Sequence, residues 1–328
     1  IPVGDPNGIG PEIALAAALE GDVASCIQPV LVGDQAVIQA VAAHLGQSAQ
    51  FDEAILCGAL ALHDAVRLKG GRQPGTISAA AGEAAVLYAR LGIGLALDGT
   101  VDAVVAAPHN ETAIAQAGIS FDGYPRLLAE TTETDPDSVF LMLVSPRFRV
   151  VHVTLHVALR RALEMLTVDR VLAALRATDA ALQRIGVPRP SLAVCGINPH
   201  AGESGLFGDD DDRITAPAVE RACAEGIDAH GPAGADLLLM EGKYDAYLAM
   251  YHDQGHIPVK LEGRDAALGL SIGTPVLFST VAHGSAHDIA GTGKADPSAL
   301  IGALLKMSAM LRNAEQPTGR APLNANGI

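Results

Sequence analysis

Short β-branched runs alternate with Ala- and Leu-rich stretches along most of this chain, and that alternation constrains its fold more than any other feature. Pro29 to Gly33 is followed by Gln35 to Leu45, and Ala103 to Ala107 by Glu111 to Ala117. A strand that feeds a helix and then a further strand is the unit of an α/β architecture with a largely parallel sheet. More strands are expected at Ser138 to Val144, Arg149 to Thr154, Ser191 to Gly196 and Ala246 to Met250. Between them, Val168, Val171, Leu172, Leu175 and Leu182 recur at helical spacing and predict a helix over Val168 to Arg184. A last helix is expected at Pro297 to Met310, and Asn313 to Ile328, rich in Pro, Gly, Asn and Ala, reads as a frayed tail. No internal repeat is present, and 328 residues suffice for one large α/β domain or two.

Composition excludes several classes of function. Apolar residues at 49% and charged residues at 18% exclude a disordered chain. With no Trp, six Phe and five Tyr, the chain lacks the exposed rings of a single-strand nucleic-acid platform. The formal net charge is −15 without any Lys/Arg-rich run, so nucleic acid is not an expected partner. The nearest approach to an apolar span, around Leu91 to Leu97, is broken by glycine and soon meets Asp98, so no membrane partner is expected. Cys26, Cys57, Cys195 and Cys223 lie far apart with no C-x-x-C pair, which fits a reduced, cytoplasmic enzyme better than a disulfide or zinc-thiolate protein. The sequence begins at Ile1 without a methionine, as if a short piece preceded it, and nothing present resembles a signal segment.

Chemistry concentrates in four segments. Gly4-Asp5-Pro6-Asn7-Gly8-Ile9-Gly10-Pro11-Glu12 reads as a strand-to-helix loop that either aims helix amides at an anion or makes a tight turn; its glycines are not spaced as G-x-G-x-x-G. Histidines follow β-rich runs, where α/β enzymes place ligand-binding groups. His152 and His156 lie in Val-His-Val-Thr-Leu-His, His200 in Asn198-Pro199-His200-Ala201-Gly202-Glu203, and His252 in Tyr251-His252-Asp253-Gln254-Gly255-His256. Strand-end histidines from separate segments can form an open divalent-metal site. His44, His63 and His230 sit in polar or helical settings and read as hydrogen-bonded structural or surface residues. Asp209 to Asp212 lacks the alternating ligands of a calcium loop and reads as a solvated turn. Finally, His283-Gly284-Ser285-Ala286-His287-Asp288-Ile289-Ala290-Gly291-Thr292-Gly293-Lys294 suits a loop lying against a flat, extended ligand such as a dinucleotide. Serine-hydrolase elbows and P-loops are missing.

Taken together and in order, these segments resemble the 4-hydroxythreonine-4-phosphate dehydrogenase family over nearly the whole chain except the tail. The resemblance implies an isocitrate/isopropylmalate dehydrogenase-like fold, two α/β domains with a cleft between them. It divides the chain into residues 1–122 plus 265–328, which bind cofactor, and residues 123–264, which carry metal, substrate and dimer contacts. It implies a homodimer with active sites near the subunit boundary, NAD, and a divalent metal held by His156, His200 and His252, with His152 outside the set. Nitrogen ligands favour Zn2+ over Mg2+ or Mn2+. His283, Gly284, Ser285, Ala286, Asp288 and Gly291 look like the cofactor loop of the wider superfamily.

Departures from the family pattern bear on substrate. A His-Thr pair of the phosphate-using members is Tyr124-Pro125 here, and their phosphate-holding Asn and Arg fall on Gly269 and Phe278, while Lys260 is kept. Glycine and phenylalanine side chains offer a phosphate no donor. Pro108-His109-Asn110-Glu111-Thr112, Phe121-Asp122-Gly123-Tyr124-Pro125 and Leu270-Ser271-Ile272-Gly273 resemble instead the branch acting on cis-dihydrodiols of aromatic dicarboxylates, the terephthalate dihydrodiol dehydrogenases. That resemblance implies oxidative decarboxylation to 3,4-dihydroxybenzoate, CO2 and NADH. Lys260 and Asp253 are then the catalytic candidates, with Asp253 either a base or a group that orients a metal histidine. Asn110, His109, Tyr124 and Lys260 are candidates for substrate contact. The alternatives are a dehydrogenase of a phosphorylated four-carbon hydroxy acid, with Arg126 or Arg264 on the phosphate, and a metal- or nucleotide-binding sensor without turnover.

Overall fold

The computed structural model describes residues 1–66, 68–121, 123–262, 267–281 and 283–315. Arg264 and the tail beyond Glu315 lie outside them. The chain forms two compact units, one comprising Ile1–Glu133 with Pro275–Ala309 and the other built on Thr134–Thr274.

In the first unit, β1 (Val30–Gly33) pairs in parallel with β2 (Ala61–Asp64), and β3 (Val104–Ala106) with β10 (Phe278–Thr280). Ahead of the opening Gly-rich segment, Pro2 makes an isolated parallel bridge to Val32. The helices used below are α1 (Gly10–Ala18), α2 (Gln35–His44), α3 (Ala79–Leu97), α4 (Glu111–Gln116) and α5 (Tyr124–Thr131). Ser78 starts α3 by accepting the Ala81 N–H on its hydroxyl. By length and composition α3 is apolar enough to cross a membrane, but half of it is buried within the protein. Its Val86, Ala89 and Ile93 pack with Val104, Leu128 and Phe278 in the core, each large side chain stabilising by about 1.5–3 kcal/mol. Gly82 lets α4 cross closely, because a Cβ there would stand 2.2 Å from the Ala113 carbonyl.

The second unit contains β4 (Phe140–Val144), β5 (Arg149–His152), β6 (Ser191–Cys195), β7 (Asp228–Ala233), β8 (Ala246–Ala249) and β9 (Leu268–Ile272), arranged β9-β4-β5-β8-β6-β7. The sheet is mixed: β4 runs antiparallel to β9 and β5, while β5, β8, β6 and β7 are parallel. On it lie α6 (Val168–Arg184), α7 (Ala216–Ala224) and α8 (His252–Leu261). The α6 bounds match those expected, with Val171, Leu172, Leu175 and Leu182 on its buried face. The chain's last described helix is α9 (Ser298–Glu315).

Sequence reading divides the chain at 122/123 and 264/265, whereas the units divide after Glu133 and after Thr274. The cause is packing: Tyr124, Leu127 and Leu128 of α5 fill the first core, and β9 hydrogen-bonds to β4 in the second sheet.

Candidate active site

Because β8 pairs in parallel with both β5 and β6, the three strands deliver their carboxyl ends to one edge of the second unit's sheet. Ligands of open α/β sheets bind at that edge. From β5 the chain passes through His152 to His156, from β8 into α8 at His252, and from β6 to His200. His156 and His252 come within 5.6 Å, ring centre to ring centre. His252 and His256, one turn apart on α8, stack at 3.8 Å. Beneath them His152 is only 1% exposed, its Nε2 2.9 Å from His256 Nδ1 and its Nδ1 3.3 Å from the Leu141 carbonyl. Burial, then the neighbouring His256, pushes His152 down to about 3. Burial, then His252, pushes His256 down to about 4. Both rings are neutral at pH 7 and can accept hydrogen bonds. Lys260, exposed one turn further along α8, lies near enough for its charge to oppose protonation of His256.

Two histidines carry a carboxylate on one ring nitrogen. Asp253 Oδ1 is 2.7 Å from His252 Nδ1, and Glu203 Oε2 is 3.0 Å from His200 Nδ1. This pairing leaves Nε2 free, and it is how metal-ligating imidazoles are commonly oriented. The expected set is nonetheless not assembled: among the described residues, no group of three or more His, Cys, Asp or Glu side chains is close enough to hold a metal ion. His156 and His252 meet, while His200, 71% exposed, lies edge-on to Phe207 on its own loop.

That loop departs from the sequence expectation in a second way. His200, Ala201, Gly202, Glu203 and Ser204 all have positive φ, from 43° to 81°, a left-handed run that costs ordinary residues about 1–2 kcal/mol each. Asp211 holds it in place. This carboxylate, 1% exposed, accepts the N–H groups of Ile197 and Asn198 at 2.8 and 2.9 Å and the Thr215 hydroxyl at 2.7 Å. The acidic run is thus not simply a solvated turn: Asp209 and Asp210 pair with Arg213, and Asp211 anchors the His200 loop.

In the first unit, the loop from His283 lies against the opening Gly-rich segment. Ile9 N–H donates to the Ser285 carbonyl at 2.9 Å, and Gly291 N–H to Glu12 at 2.6 Å. The opening segment commits its own amides inside the protein: Asn7 and Gly8 donate to Asp5, and Asp5 to the Pro108 carbonyl. It works as a tight turn, and a Cβ on Gly8 would stand 2.7 Å from the Ser285 carbonyl oxygen. Beside it opens a pocket of about 410 Å³ lined by His109, Asn110, Thr280, His283, Gly284 and Ser285 among others. Asn110 caps α4 by accepting the Ala113 N–H at 2.8 Å, while its Nδ2 is 3.4 Å from Ser285 Oγ. Burial holds His109 below the ordinary histidine range, and its ring meets Phe121 and Tyr124 edge-on. Tyr124 is buried, with its hydroxyl 3.4 Å from the Ala107 carbonyl and its ring against Phe278, so it forms the wall behind His109. Ala286 has a left-handed backbone (φ 38°), and Asp288 is exposed.

The family model described as pyridoxal phosphate biosynthetic protein PdxA matches residues 25–307. The chain belongs to this family. It is 47% identical over 301 residues to the 1,2-dihydroxy-3,5-cyclohexadiene-1,4-dicarboxylate dehydrogenase of Comamonas sp, covering 91% of this chain and 93% of that one. The terephthalate 1,2-cis-dihydrodiol dehydrogenase of Burkholderia xenovorans LB400 superimposes with a TM-score of 0.74 at 43% identity, covering 94% and 96% of the two chains. The 4-hydroxythreonine-4-phosphate dehydrogenase of Klebsiella pneumoniae superimposes with a TM-score of 0.82 at 36% identity, covering 95% and 98%. Backbone overlap and identity rank the last two differently; identity bears more directly on side chains that choose a substrate. These PdxA relatives are dehydrogenases, and this chain shares their α/β fold with a mixed sheet.

Four residues of this PdxA-family chain escape the sequence reading of the site. Asp211 lies in the acidic run already noted. His256 stands in the His252 motif at i+4, the spacing that stacks it on His252. Asp5 and His287 lie inside the two Gly-rich segments, and only the fold brings them together, at 3.4 Å.

Proposed function

We propose that this chain is an NAD- and divalent-metal-dependent dehydrogenase that oxidatively decarboxylates an aromatic-dicarboxylate cis-dihydrodiol, converting terephthalate dihydrodiol to 3,4-dihydroxybenzoate, CO2 and NADH. We further infer a homodimer in the cytoplasm, an isocitrate/isopropylmalate dehydrogenase-like fold, and no nucleic-acid or membrane partner. The observation that carries the reading is the pair of His156 and His252, 5.6 Å apart, with Asp253 bracing His252 at Nδ1, as Glu203 braces His200 on its own loop. These three histidines suit a divalent cation, and nitrogen donors favour Zn2+ over Mg2+ or Mn2+. The loop from His283 to Gly291 and its adjoining pocket suit part of a dinucleotide. When bound, the cation supplies Lewis acidity toward the diol and ketone oxygens, and NAD accepts the hydride.

The protein's own groups do the rest. Lys260 offers positive charge to a substrate carboxylate and, on the His252–His256 face of α8, a proton for the enolate oxygen left when CO2 departs. Asp253 holds the His252 ring by its Nδ1. Asn110 and His109 face the pocket with hydrogen-bonding groups, and Tyr124 backs His109. Overall the diol dicarboxylate loses a hydride and CO2, a proton leaving its hydroxyl and one returning to the enolate oxygen, and the ring gains aromaticity.

The rival substrate, a phosphorylated four-carbon hydroxy acid, draws on the higher TM-score of the Klebsiella protein. Among the described residues it lacks the expected anchors: Gly269 lies in β9 without a side chain, Phe278 is fully buried, and Arg126 pairs with Glu130 at 3.1 Å. Arg264 lies outside the described residues. The test is stoichiometry with purified, metal-loaded protein. One NADH, one CO2 and one 3,4-dihydroxybenzoate per dihydrodiol support the proposal, NADH without CO2 overturns the decarboxylation, and no NADH overturns the whole.

A further inference from the structure

Behind Ser285, the first unit contains two buried polar groups that the proposed chemistry leaves unused. Asp5 is fully buried; its Oδ1 accepts the Asn7 N–H at 2.8 Å, but its Oδ2 has no hydrogen-bond partner. That oxygen faces His287 Nε2 at 3.4 Å, a buried ring nitrogen likewise without a hydrogen bond. On the other side of the ring, His287 Nδ1 is 3.1 Å from the hydroxyl of Ser285, a residue that lines the pocket. Asn110 Nδ2 approaches the same hydroxyl at 3.4 Å. A buried carboxylate, an imidazole and a serine hydroxyl thus stand in line and end at a pocket.

Hydrogen-bond accounting assigns the protons. A ring N–H at Nε2 faces the carboxylate, the better acceptor, so Nδ1 keeps its lone pair and takes the Ser285 O–H. With its proton turned inward, Ser285 presents oxygen lone pairs outward, one toward Asn110 and one toward the pocket. Among the described residues, none that lines the pocket is Lys or Arg, and its chemistry suits an uncharged, hydroxyl- or amide-bearing part of a ligand rather than a phosphate.

We propose that Asp5 and His287 are positioning residues that hold the Ser285 hydroxyl as a hydrogen-bond acceptor for an O–H or N–H donor of the bound dinucleotide. This rests on the dinucleotide reading of the pocket given above.

The test is NADH affinity, followed by the fluorescence of the bound nicotinamide on the full chain. Ser285→Ala and His287→Leu are each expected to weaken binding roughly three- to tenfold, the range of one hydrogen bond. Since His287 acts through Ser285, the double variant is expected to bind no more weakly than Ser285→Ala alone. His287→Asn, whose amide oxygen can replace the Nδ1 lone pair, is expected to recover most of the loss. Wild-type affinity in Ser285→Ala, or losses that multiply in the double variant, overturns the positioning role while leaving the dinucleotide reading intact. If the wild-type protein binds no NADH, both fail, before any substitution is made. Should His287→Leu not fold, Ser285→Ala and His287→Asn still decide the matter: an unaffected Ser285→Ala overturns it.

Discussion

Asp5 shows most directly how a single residue trades stability for position. Burial holds its carboxyl above the ordinary range, opposed by the Asn7 amide and by His287. A group whose folded pKa is raised contributes stability that is fully present below its unfolded pKa, near 3.9, and lost as pH rises through the folded value. Asp5→Asn is therefore expected to remove part of the decline in stability between pH 4 and pH 7 while weakening NADH binding. Urea midpoints at the two pH values check the first half, and a steeper decline in the variant would contradict it. Cys195 offers a second check at this scale. Burial pushes its thiol up to about 12, whereas Cys57 and Cys223 are exposed. Mass spectrometry of native protein alkylated at pH 8 is expected to find Cys57 and Cys223 modified and Cys195 untouched until denaturant is added.

Elements place the histidines, and two tight contacts hold those elements. Gly255 lets α8 press against β5: a Cβ there would stand 2.4 Å from His152 Nε2 and 2.9 Å from the Ala249 Cβ. Gly255→Ala is expected to cost about 1–3 kcal/mol by overpacking and to disturb the His152–His256 contact, read by thermal unfolding. Asp211 holds the left-handed loop after β6. Asp211→Ala strips two backbone N–H groups of their acceptor at a cost of about 1–3 kcal/mol each, and zinc affinity by calorimetry is expected to fall with it. Unchanged zinc affinity would detach the His200 loop from the metal. Patterning reveals β5, β6, β8 and α6 because their apolar spacing matches their buried faces. It misses β7, an edge strand of Asp-Ala-His-Gly-Pro-Ala, since edges tolerate Gly and Pro that interior strands exclude. It also misses β9 and β10, short pieces in a stretch rich in glycine.

At the scale of the whole molecule, the histidine motifs are legible because each follows a strand, and parallel pairing then gathers them at one sheet edge. Where His200 points is not legible, because a left-handed run held by Asp211 depends on contacts fourteen and thirteen residues apart in sequence. Nor is the Asp5–His287–Ser285 line, whose members meet only through the fold. If the three histidines share one cation, His252→Ala and His200→Ala are each expected to lose most of the bound zinc by elemental analysis, and full retention in either would contradict the shared site. The substrate is decided by kcat/KM for NADH formation with the cis-dihydrodiol of terephthalate, set beside that with 4-hydroxythreonine-4-phosphate, each with and without a chelator. Turnover of the dihydrodiol, abolished by chelation, is expected, and none of the phosphorylated compound. Turnover of the phosphorylated compound alone would contradict it, and would mean that the pocket holds a phosphate without the side chains that Gly269 and Phe278 fail to supply.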